Sequence, residues 1–297
     1  MKEFRYIKAN AFTAGRSLGN PAACVVTGAC SLSEDEMLSI AREHKGFVME
    51  VVFCGVSEKA DCKLSYYSSE CEVDFCGHGT IAAMYCLIGS NDSLASKNVI
   101  RVETNRKGIV EVHNSIGTDG AVYISAPEAR ELPLKATVGE VCEALGLASG
   151  AIDGSLPIRV IDAGLRTLIV PMADLEGETS LFPDEQRLKR FTIANDIDIV
   201  LIFTMQTSSP EAYAHTRVFA PRFGYLEDPA TGSGNSAFAN YMLWQGLWDG
   251  SSITVEQGGS DRLFNSVRLK LENGRVLFGG RATKTIEGSY FVNGQSL

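Results

Sequence analysis

The stretch Asp74-Phe-Cys-Gly-His-Gly-Thr-Ile-Ala-Ala-Met-Tyr-Cys-Leu87 predicts the end of a strand, a two-glycine turn and an apolar helix. A second stretch of the same kind, Asp228-Pro-Ala-Thr-Gly-Ser-Gly-Asn-Ser-Ala-Phe-Ala-Asn-Tyr-Met242, lies in the other half of the chain. Aligning the two brings three residues of the first turn onto three of the second, namely Cys76, Gly77 and Gly79 onto Thr231, Gly232 and Gly234. The repeat predicts two related halves, each organised around one turn and one helix.

Both turns carry polar side chains at the start of a helix, where anions bind well. The first amides of a helix lack partners and the helix dipole is positive there. The first turn supplies Cys76 and His78, and a thiolate in such a position is expected to have a lowered pKa and to serve as a base. The second turn supplies Thr231 and Ser233, with the carboxylate of Asp228 just before it. Asp228 before a proline could equally be a structural turn former.

A further carboxylate interrupts an apolar run in the first half. Ser33 to Glu36 has the pattern of a helix capping box, and residues 47–54 (FVMEVVFC) then predict a buried strand broken only by Glu50. A carboxylate inside such a strand is costly unless it is paired or hydrogen-bonded. Glu50 is therefore a candidate general acid or base, the alternative being a glutamate at a strand edge that reaches solvent.

Composition excludes several classes of function. The 297-residue chain has a formal net charge of −9, whereas nonspecific nucleic-acid binding needs a basic face. No apolar run reaches the about 18 residues that a membrane span requires, and the N-terminus does not resemble a secretory signal. We therefore expect a cytoplasmic protein with no nucleic-acid or membrane partner.

The eight cysteines are expected to be reduced thiols in that compartment. Cys71, Cys76 and His78 together offer zinc-binding atoms, but no CxxC pair supports such a site. The expectation is a protein without a metal or cofactor.

The pattern of elements predicts the α+β class. Strand-like segments outnumber helical ones and are joined by hairpin-length turns rather than by regular β-α-β alternation. Pro127 and the charged residues after it indicate a boundary between domains 1–127 and 128–297, and the last strands are allowed to cross back to the first domain. Each domain is expected to be a curved, mostly antiparallel sheet around a central helix, with the two turns facing one cleft.

Several motifs in this order resemble the phenazine-biosynthesis PhzF-like isomerase family. They are GNPAACVV at 19–26, FCGHGT at 75–80, DPATGS at 228–233 and GGRA at 279–282. The resemblance implies the two-domain fold of diaminopimelate epimerase and a cofactor-independent isomerase that acts on a small acidic substrate, as a homodimer. It implies Glu50 as general acid/base, with partners that handle protons or contact the substrate: His78, Asp228 and Ser233. The other expected substrate-binding residues are Asn20, Gly77, Gly79, Thr231, Gly232 and Gly234.

Cys76 departs from that family pattern and leaves other functions open. Family members commonly have alanine at this position, whereas the related diaminopimelate epimerases and proline racemases have a catalytic cysteine in this turn. Those epimerases carry a second cysteine where this chain has Thr231. The alternatives are an amino- or imino-acid epimerase or dehydratase that depends on Cys76, and an inactive homologue that only binds carboxylates.

Overall fold

The computed structural model describes residues 1–148, 150–259 and 263–292. The chain forms two compact units. The first contains Met1–Thr13, Leu18–Ser125 and the chain from Gly279 onward, and the second contains Ala14–Ser17 and Ala126–Phe278. Each unit combines sheet and helix, so the prediction of the α+β class is confirmed.

The first unit pairs its strands in a mostly antiparallel sheet around one buried helix. Its strands are β1 (Lys2–Ala11), β2 (Asn20–Gly28), β3 (Glu50–Gly55), β4 (Cys62–Tyr67), β5 (Glu72–Val73), β6 (Val99–Thr104), β7 (Gly108–Ser115), β8 (Ala121–Ser125) and β18 (Ala282–Val292). Its helices are α1 (Glu34–Glu43), α2 (Gly77–Ile88), α3 (Asp92–Ala95) and α4 (Ile116–Asp119).

Two parallel pairs interrupt the antiparallel pattern of this unit. Strand β1 pairs antiparallel with both β18 and β2, and β2 then pairs parallel with β3. Strand β4 pairs antiparallel with β3 and β5 and parallel with β6, and β6, β7 and β8 continue as antiparallel neighbours. Helix α2 contacts β1, β2, β3, β8 and β18, and its residues from Gly79 to Met84 are all buried. The predicted central helix is therefore present in this unit.

The second unit repeats this arrangement. Its strands are β9 (Arg130–Leu132), β10 (Arg159–Asp162), β11 (Arg166–Pro171), β12 (Ile199–Thr204), β13 (Ala214–Phe219), β14 (Glu227–Asp228), β15 (Ile253–Gln257), β16 (Asn265–Glu272) and β17 (Arg275–Gly280), which ends just past the unit boundary. Its helices are α5 (Val138–Leu145), α6 (Leu175–Ser180), α7 (Glu185–Ala194) and α8 (Gly232–Trp244), with a short 3-10 helix at Pro221–Phe223.

The parallel pairs of the second unit stand at the same places in its strand order. Strands β9, β10 and β11 are antiparallel neighbours, and β11 pairs parallel with β12. Strand β13 pairs antiparallel with β12 and β14 and parallel with β15, which pairs antiparallel with β16. Helix α8 contacts β10, β11, β12 and β16 and is buried along most of its length. In both units the central helix follows a two-residue strand that ends at the turn.

Local sequence signals placed several helix ends correctly. Ser33 and Glu36 form the predicted capping box of α1, and Thr137 and Glu140 form another at α5, which ends at Gly146 in the left-handed conformation. No helix among the described residues is long and apolar enough to cross a membrane.

The start of β3 corrects the prediction for residues 47–54. The N–H groups of Phe47 and Val48 both donate to the carbonyl of His44, so these residues belong to the turn that ends α1. The strand begins only at Glu50. Glu50 is therefore the first residue of a strand rather than an interruption within one.

Candidate active site

Glu50 lies where the first unit's parallel pair begins. In the register of β2 and β3 it stands opposite Ala22. Asn20, two residues earlier on β2, is buried and pairs with Ala11 of β1. The side chain of Glu50 retains only 18% of its full exposure, so its carboxylate needs a polar partner.

That partner comes from the turn before α2. Cys76 is the N-cap residue of the helix, and its Sγ accepts the N–H of Gly79 at 3.2 Å. His78, in the first turn, places Nε2 3.1 Å from Oε2 of Glu50, and its Nδ1 lies 3.5 Å from Sγ of Cys76. The fold thus brings Glu50 of β3 next to Cys76 and His78, which lie on either side of Gly77 in the turn before α2.

The tightness of the turn explains one of its glycines. A Cβ on Gly79 would lie 2.9 Å from Sγ of Cys76 and 2.9 Å from Cγ2 of Val52. Both distances are too short for carbon or sulfur neighbours. Glycine at this position lets the helix end approach β3 closely enough for His78 to reach Glu50.

Burial determines the protonation of the thiol. Burial raises the pKa of Cys76 above its usual value, and Glu50 raises it further, although His78 and the Gly79 N–H act in the opposite direction. The expectation of a lowered thiol pKa was therefore wrong, because Cys76 is only 6% exposed and lies beside Glu50. A neutral thiol is the resting state near pH 7.

For the imidazole of His78, the effect of neighbouring groups on the pKa outweighs the effect of burial. Burial disfavours the charged form of His78, but Cys76 and the Glu50 carboxylate together hold the pKa of His78 well above its usual value. His78 therefore takes up a proton more readily than an ordinary histidine, at a position between Glu50 and Cys76.

The second turn is held by a side chain from a neighbouring strand. Thr231 is the N-cap residue of α8, but its side chain makes no capping hydrogen bond. Gln257 of β15 takes over this role, because its Oε1 accepts the Thr231 N–H at 2.9 Å and its Nε2 donates to the carbonyl of Asp228 at 2.9 Å. The same amide also bonds Nδ2 of Asn235 and Oγ1 of Thr231. Gln257 is fully buried.

Other predicted residues of this turn have clear structural positions. Oδ1 of Asp228 accepts the N–H of Ala230, so this residue does form the Asx turn considered from sequence. Ser233 is half-buried in the first turn of α8. A Cβ on Gly232 would lie 2.3 Å from the ring of Phe278, and one on Gly234 would lie 3.2 Å from Cγ2 of Val218.

Gln257 was missed by sequence reasoning, although a signal was present. Gln257 is the last residue of β15, and a glutamine at the end of a strand is ordinary as an exposed residue. Its importance depends on the parallel register that sets it opposite Thr216, and no local pattern reveals that register. Asn265, also unnoticed, donates to the carbonyl of Pro229 at 2.7 Å.

The residues of the first unit that could bind zinc differ from the set predicted from the sequence. Among the residues that the structure describes, the group with metal-ligand spacing is Glu50, Cys76 and His78. Cys71 is exposed and is not part of this group.

Comparison with known proteins identifies the family. Residues 9–288 match the family described as phenazine biosynthesis-like protein, PhzC-PhzF. The chain belongs to this family. A curated relative, named as the uncharacterized isomerase YfhB of Bacillus subtilis (strain 168), is 33% identical over 261 residues, which cover 87% of each chain. YddE of Escherichia coli (strain K12), also named as an isomerase, is 29% identical and covers 83% of this chain and 82% of its own.

Solved structures agree with this assignment. The PhzF-family phenazine biosynthesis protein of Bacillus anthracis superposes with a TM-score of 0.85 at 25% identity, covering 98% of this chain and 100% of its own. A hydroxyproline epimerase from Agrobacterium vitis shares the fold, with a TM-score of 0.57 at 13% identity, covering 98% and 91% of the two chains. The chain is an enzyme of the isomerase class, with the PhzF and epimerase-like fold.

Proposed function

We propose that the chain is a cofactor-independent isomerase that shifts a proton on a small carboxylate-bearing substrate, with Glu50 as general acid/base. The observation that carries this proposal is the 3.1 Å contact between Oε2 of Glu50 and Nε2 of His78 at the start of α2. A carboxylate held beside an imidazolium suits removal of a proton next to a substrate carboxylate and its return at another carbon.

His78 has a supporting part in this reaction. Its pKa is held well above the usual value, so the ring is charged when the substrate arrives. An imidazolium next to the reacting carbon stabilises the enolate-like charge that develops as the proton leaves. The ring is also a proton donor within reach of Glu50, which allows the pair to exchange a proton between substrate positions.

The start of α2 offers the groups that would orient the substrate. The N–H groups of Gly77 and His78 have no acceptor among the described residues. Amides at the N-terminus of a twelve-residue helix attract a carboxylate. Asp228, Thr231 and Ser233 remain predicted substrate contacts from the second unit. The homodimer remains a prediction from the resemblance, and the cytoplasmic location remains a prediction from the sequence composition.

A screen for solvent deuterium uptake tests the reaction. Carboxylate metabolites are incubated with the protein in D2O, and carbon-bound deuterium is followed by NMR. For any substrate found, Glu50→Gln is expected to slow exchange by roughly 100- to 10,000-fold, the usual contribution of a general acid/base. Glu111→Gln, which removes an exposed carboxylate of β7, serves as the matched control and should exchange at the wild-type rate. Undiminished exchange by Glu50→Gln would refute the role of this residue.

A second candidate is an epimerase or dehydratase that uses Cys76. The geometry that favours it is the thiol at the helix start, which contacts both Gly79 N–H and His78. The raised pKa of the thiol argues against it, because little thiolate is available as a base. Cys76→Ala distinguishes the two functions, since it should leave deuterium exchange within about threefold of wild type when Glu50 is the base. Exchange abolished by Cys76→Ala, with Glu50→Gln active, would establish the thiol enzyme instead.

A further inference from the structure

Three side chains of the first unit bring metal-binding atoms close to one another. One ligand atom from each of Glu50, Cys76 and His78 lies within 4.8 Å of the other two. Nε2 of His78 is 3.1 Å from Oε2 of Glu50 and 3.8 Å from Sγ of Cys76. The three donors are a carboxylate oxygen, an imidazole nitrogen and a sulfur.

The separations fit the coordination shell of a tetrahedral ion. Zinc binds nitrogen and oxygen at about 2.0 Å and sulfur at about 2.3 Å, which places neighbouring tetrahedral donors about 3.3 to 3.6 Å apart. The two distances from His78 bracket this range, one slightly shorter and one slightly longer. Coordination of one ion requires rotation of the Cys76 side chain, because its Sγ now lies closer to Nδ1 of His78, at 3.5 Å, than to Nε2.

The surroundings of the donors also suit a metal. Apart from its contact with His78, Oε2 of Glu50 is buried and makes no hydrogen bond among the described residues. The Gly79 N–H points at Sγ of Cys76 from 3.2 Å, and such backbone donors stabilise a metal-bound thiolate. On binding, the Cys76 thiol and the protonated His78 ring each release a proton to solvent. The resulting thiolate and the carboxylate together balance the charge of a divalent ion, and the sulfur disfavours a hard ion such as Mg²⁺.

We propose that Glu50, Cys76 and His78 bind a thiophilic divalent ion of the Zn²⁺ class, with a fourth position open to water or to a substrate carboxylate. Such an ion occupies the carboxylate and imidazole that the proposed proton transfer uses, so it acts as an inhibitor of that reaction. Binding can be measured without turnover, so the proposed metal site can be tested independently of the proposed isomerase activity.

Titration with Co²⁺ and Zn²⁺ tests this site directly. The full chain is freed of metal with a chelator and titrated with Co²⁺, whose tetrahedral and thiolate-to-metal absorption bands report geometry and sulfur ligation. Competition with Zn²⁺ against a chromophoric chelator then gives the affinity. We expect one equivalent to bind, with both bands present, and no competition from Mg²⁺.

Four variants complete the experiment. Cys71→Ser, which removes an exposed thiol of the same unit, should match wild type. Cys76→Ala should lose the thiolate band, and His78→Ala and Glu50→Gln should each weaken Zn²⁺ binding at least tenfold. Circular dichroism and cooperative thermal unfolding verify that each variant folds, and Cys76→Ser, which keeps an acceptor for the Gly79 N–H, replaces Cys76→Ala when that variant does not fold. A thiolate band that persists without the Cys76 thiol, or Zn²⁺ affinity no greater than that for Mg²⁺, would overturn the proposal.

Discussion

The two turn–helix motifs share a scaffold but carry their chemistry at different positions. Val73 and Asp228 occupy equivalent places, because Val73 pairs with Tyr66 of β4 and Asp228 pairs with Val218 of β13. The pairing of β3 with β4 matches the pairing of β12 with β13. This match makes Ile199, an aliphatic residue of β12, the equivalent of Glu50 in β3. Each unit therefore places a carboxylate where the other has a side chain that cannot ionise.

The turns themselves differ in the same way. His78 of the first turn corresponds to Ser233 of the second, and Cys76 corresponds to Thr231. The thiol of Cys76 caps its own helix, whereas the hydroxyl of Thr231 does not and is itself held by a distant glutamine. A repeated backbone thus preserves the position of two helix ends while their side chains diverge.

The strongest test of this difference is removal of the glutamine that holds the second turn. Gln257→Ala leaves the Thr231 N–H and the Asp228 carbonyl without partners in a buried place, so we expect a loss of about 3 kcal/mol or more in the free energy of unfolding. Its equivalent in the first unit is Thr104. Among the described residues, the hydroxyl of Thr104 bonds within its own hairpin, to the carbonyl of Gly108 and the N–H of Lys107.

Thr104→Val is the matched control for this change and should cost only about 1 kcal/mol. Urea unfolding of both variants measures the two losses. Similar costs for Gln257→Ala and Thr104→Val would show that the second turn holds its shape without the glutamine.

Alanine substitution at the turn glycines compares the space around the two helix ends. We expect Gly232→Ala to cost about 3 kcal/mol because its Cβ meets the Phe278 ring at 2.3 Å, and Gly79→Ala about 2 kcal/mol at its 2.9 Å contacts. Gly234→Ala, with its nearest neighbour at 3.2 Å, should cost less than about 1 kcal/mol.

The control for this series is Gly139→Ala in α5, where the nearest atom is 4.0 Å from the new Cβ. It should be neutral or slightly stabilising, because alanine restricts the unfolded chain more than glycine does. Thermal unfolding of the four variants gives the order, and a Gly234→Ala loss as large as that of Gly232→Ala would contradict this account of the packing.

Sequence reasoning succeeded where the signal was local. The apolar helices after each turn and the capping box at Ser33 depend on residues close together in the chain. The helix predicted after the second turn is observed at Gly232–Trp244. The repeat of the turn motif was enough to indicate two halves built in the same way.

It failed where the outcome depends on distant neighbours. The helix-end position of Cys76 is a local feature and favours a thiolate, but burial and the Glu50 carboxylate, which arrive through the fold, raise the pKa instead. Gln257 is an ordinary strand residue until the parallel pairing with β13 places it under the turn. Packing and register decide such features, and neither is encoded in spacing along the chain.

The smallest expected effect concerns a further place where the units differ. His215 of β13 is fully buried, whereas its equivalent on β4, Lys63, is half-buried. Nδ1 of His215 lies 2.8 Å from Oε2 of the fully buried Glu178. Burial lowers the pKa of His215 to about 3 and raises the pKa of Glu178 well above its usual value. Both groups are therefore neutral near pH 7, with the carboxyl proton donated to the imidazole.

Glu178→Gln tests, through the pH dependence of stability, whether the folded pair keeps this proton. The folded wild type keeps the Glu178 proton that the unfolded chain releases above about pH 4.5, so the contribution of Glu178 to stability declines as pH rises. The contribution of His215 changes in the opposite direction, but it is common to both proteins and cancels in the comparison. Glutamine has no proton to lose and still donates to His215. The free energy of unfolding of Glu178→Gln relative to wild type should therefore rise, by on the order of 1 kcal/mol between pH 5 and pH 7. Glu178→Ala, which also has no proton to lose but leaves Nδ1 unpaired, should be about 2 kcal/mol less stable than Glu178→Gln at both pH values. Urea unfolding at the two pH values makes the measurement, and a relative stability of Glu178→Gln that stays level or falls as pH rises would show that the folded pair holds no proton.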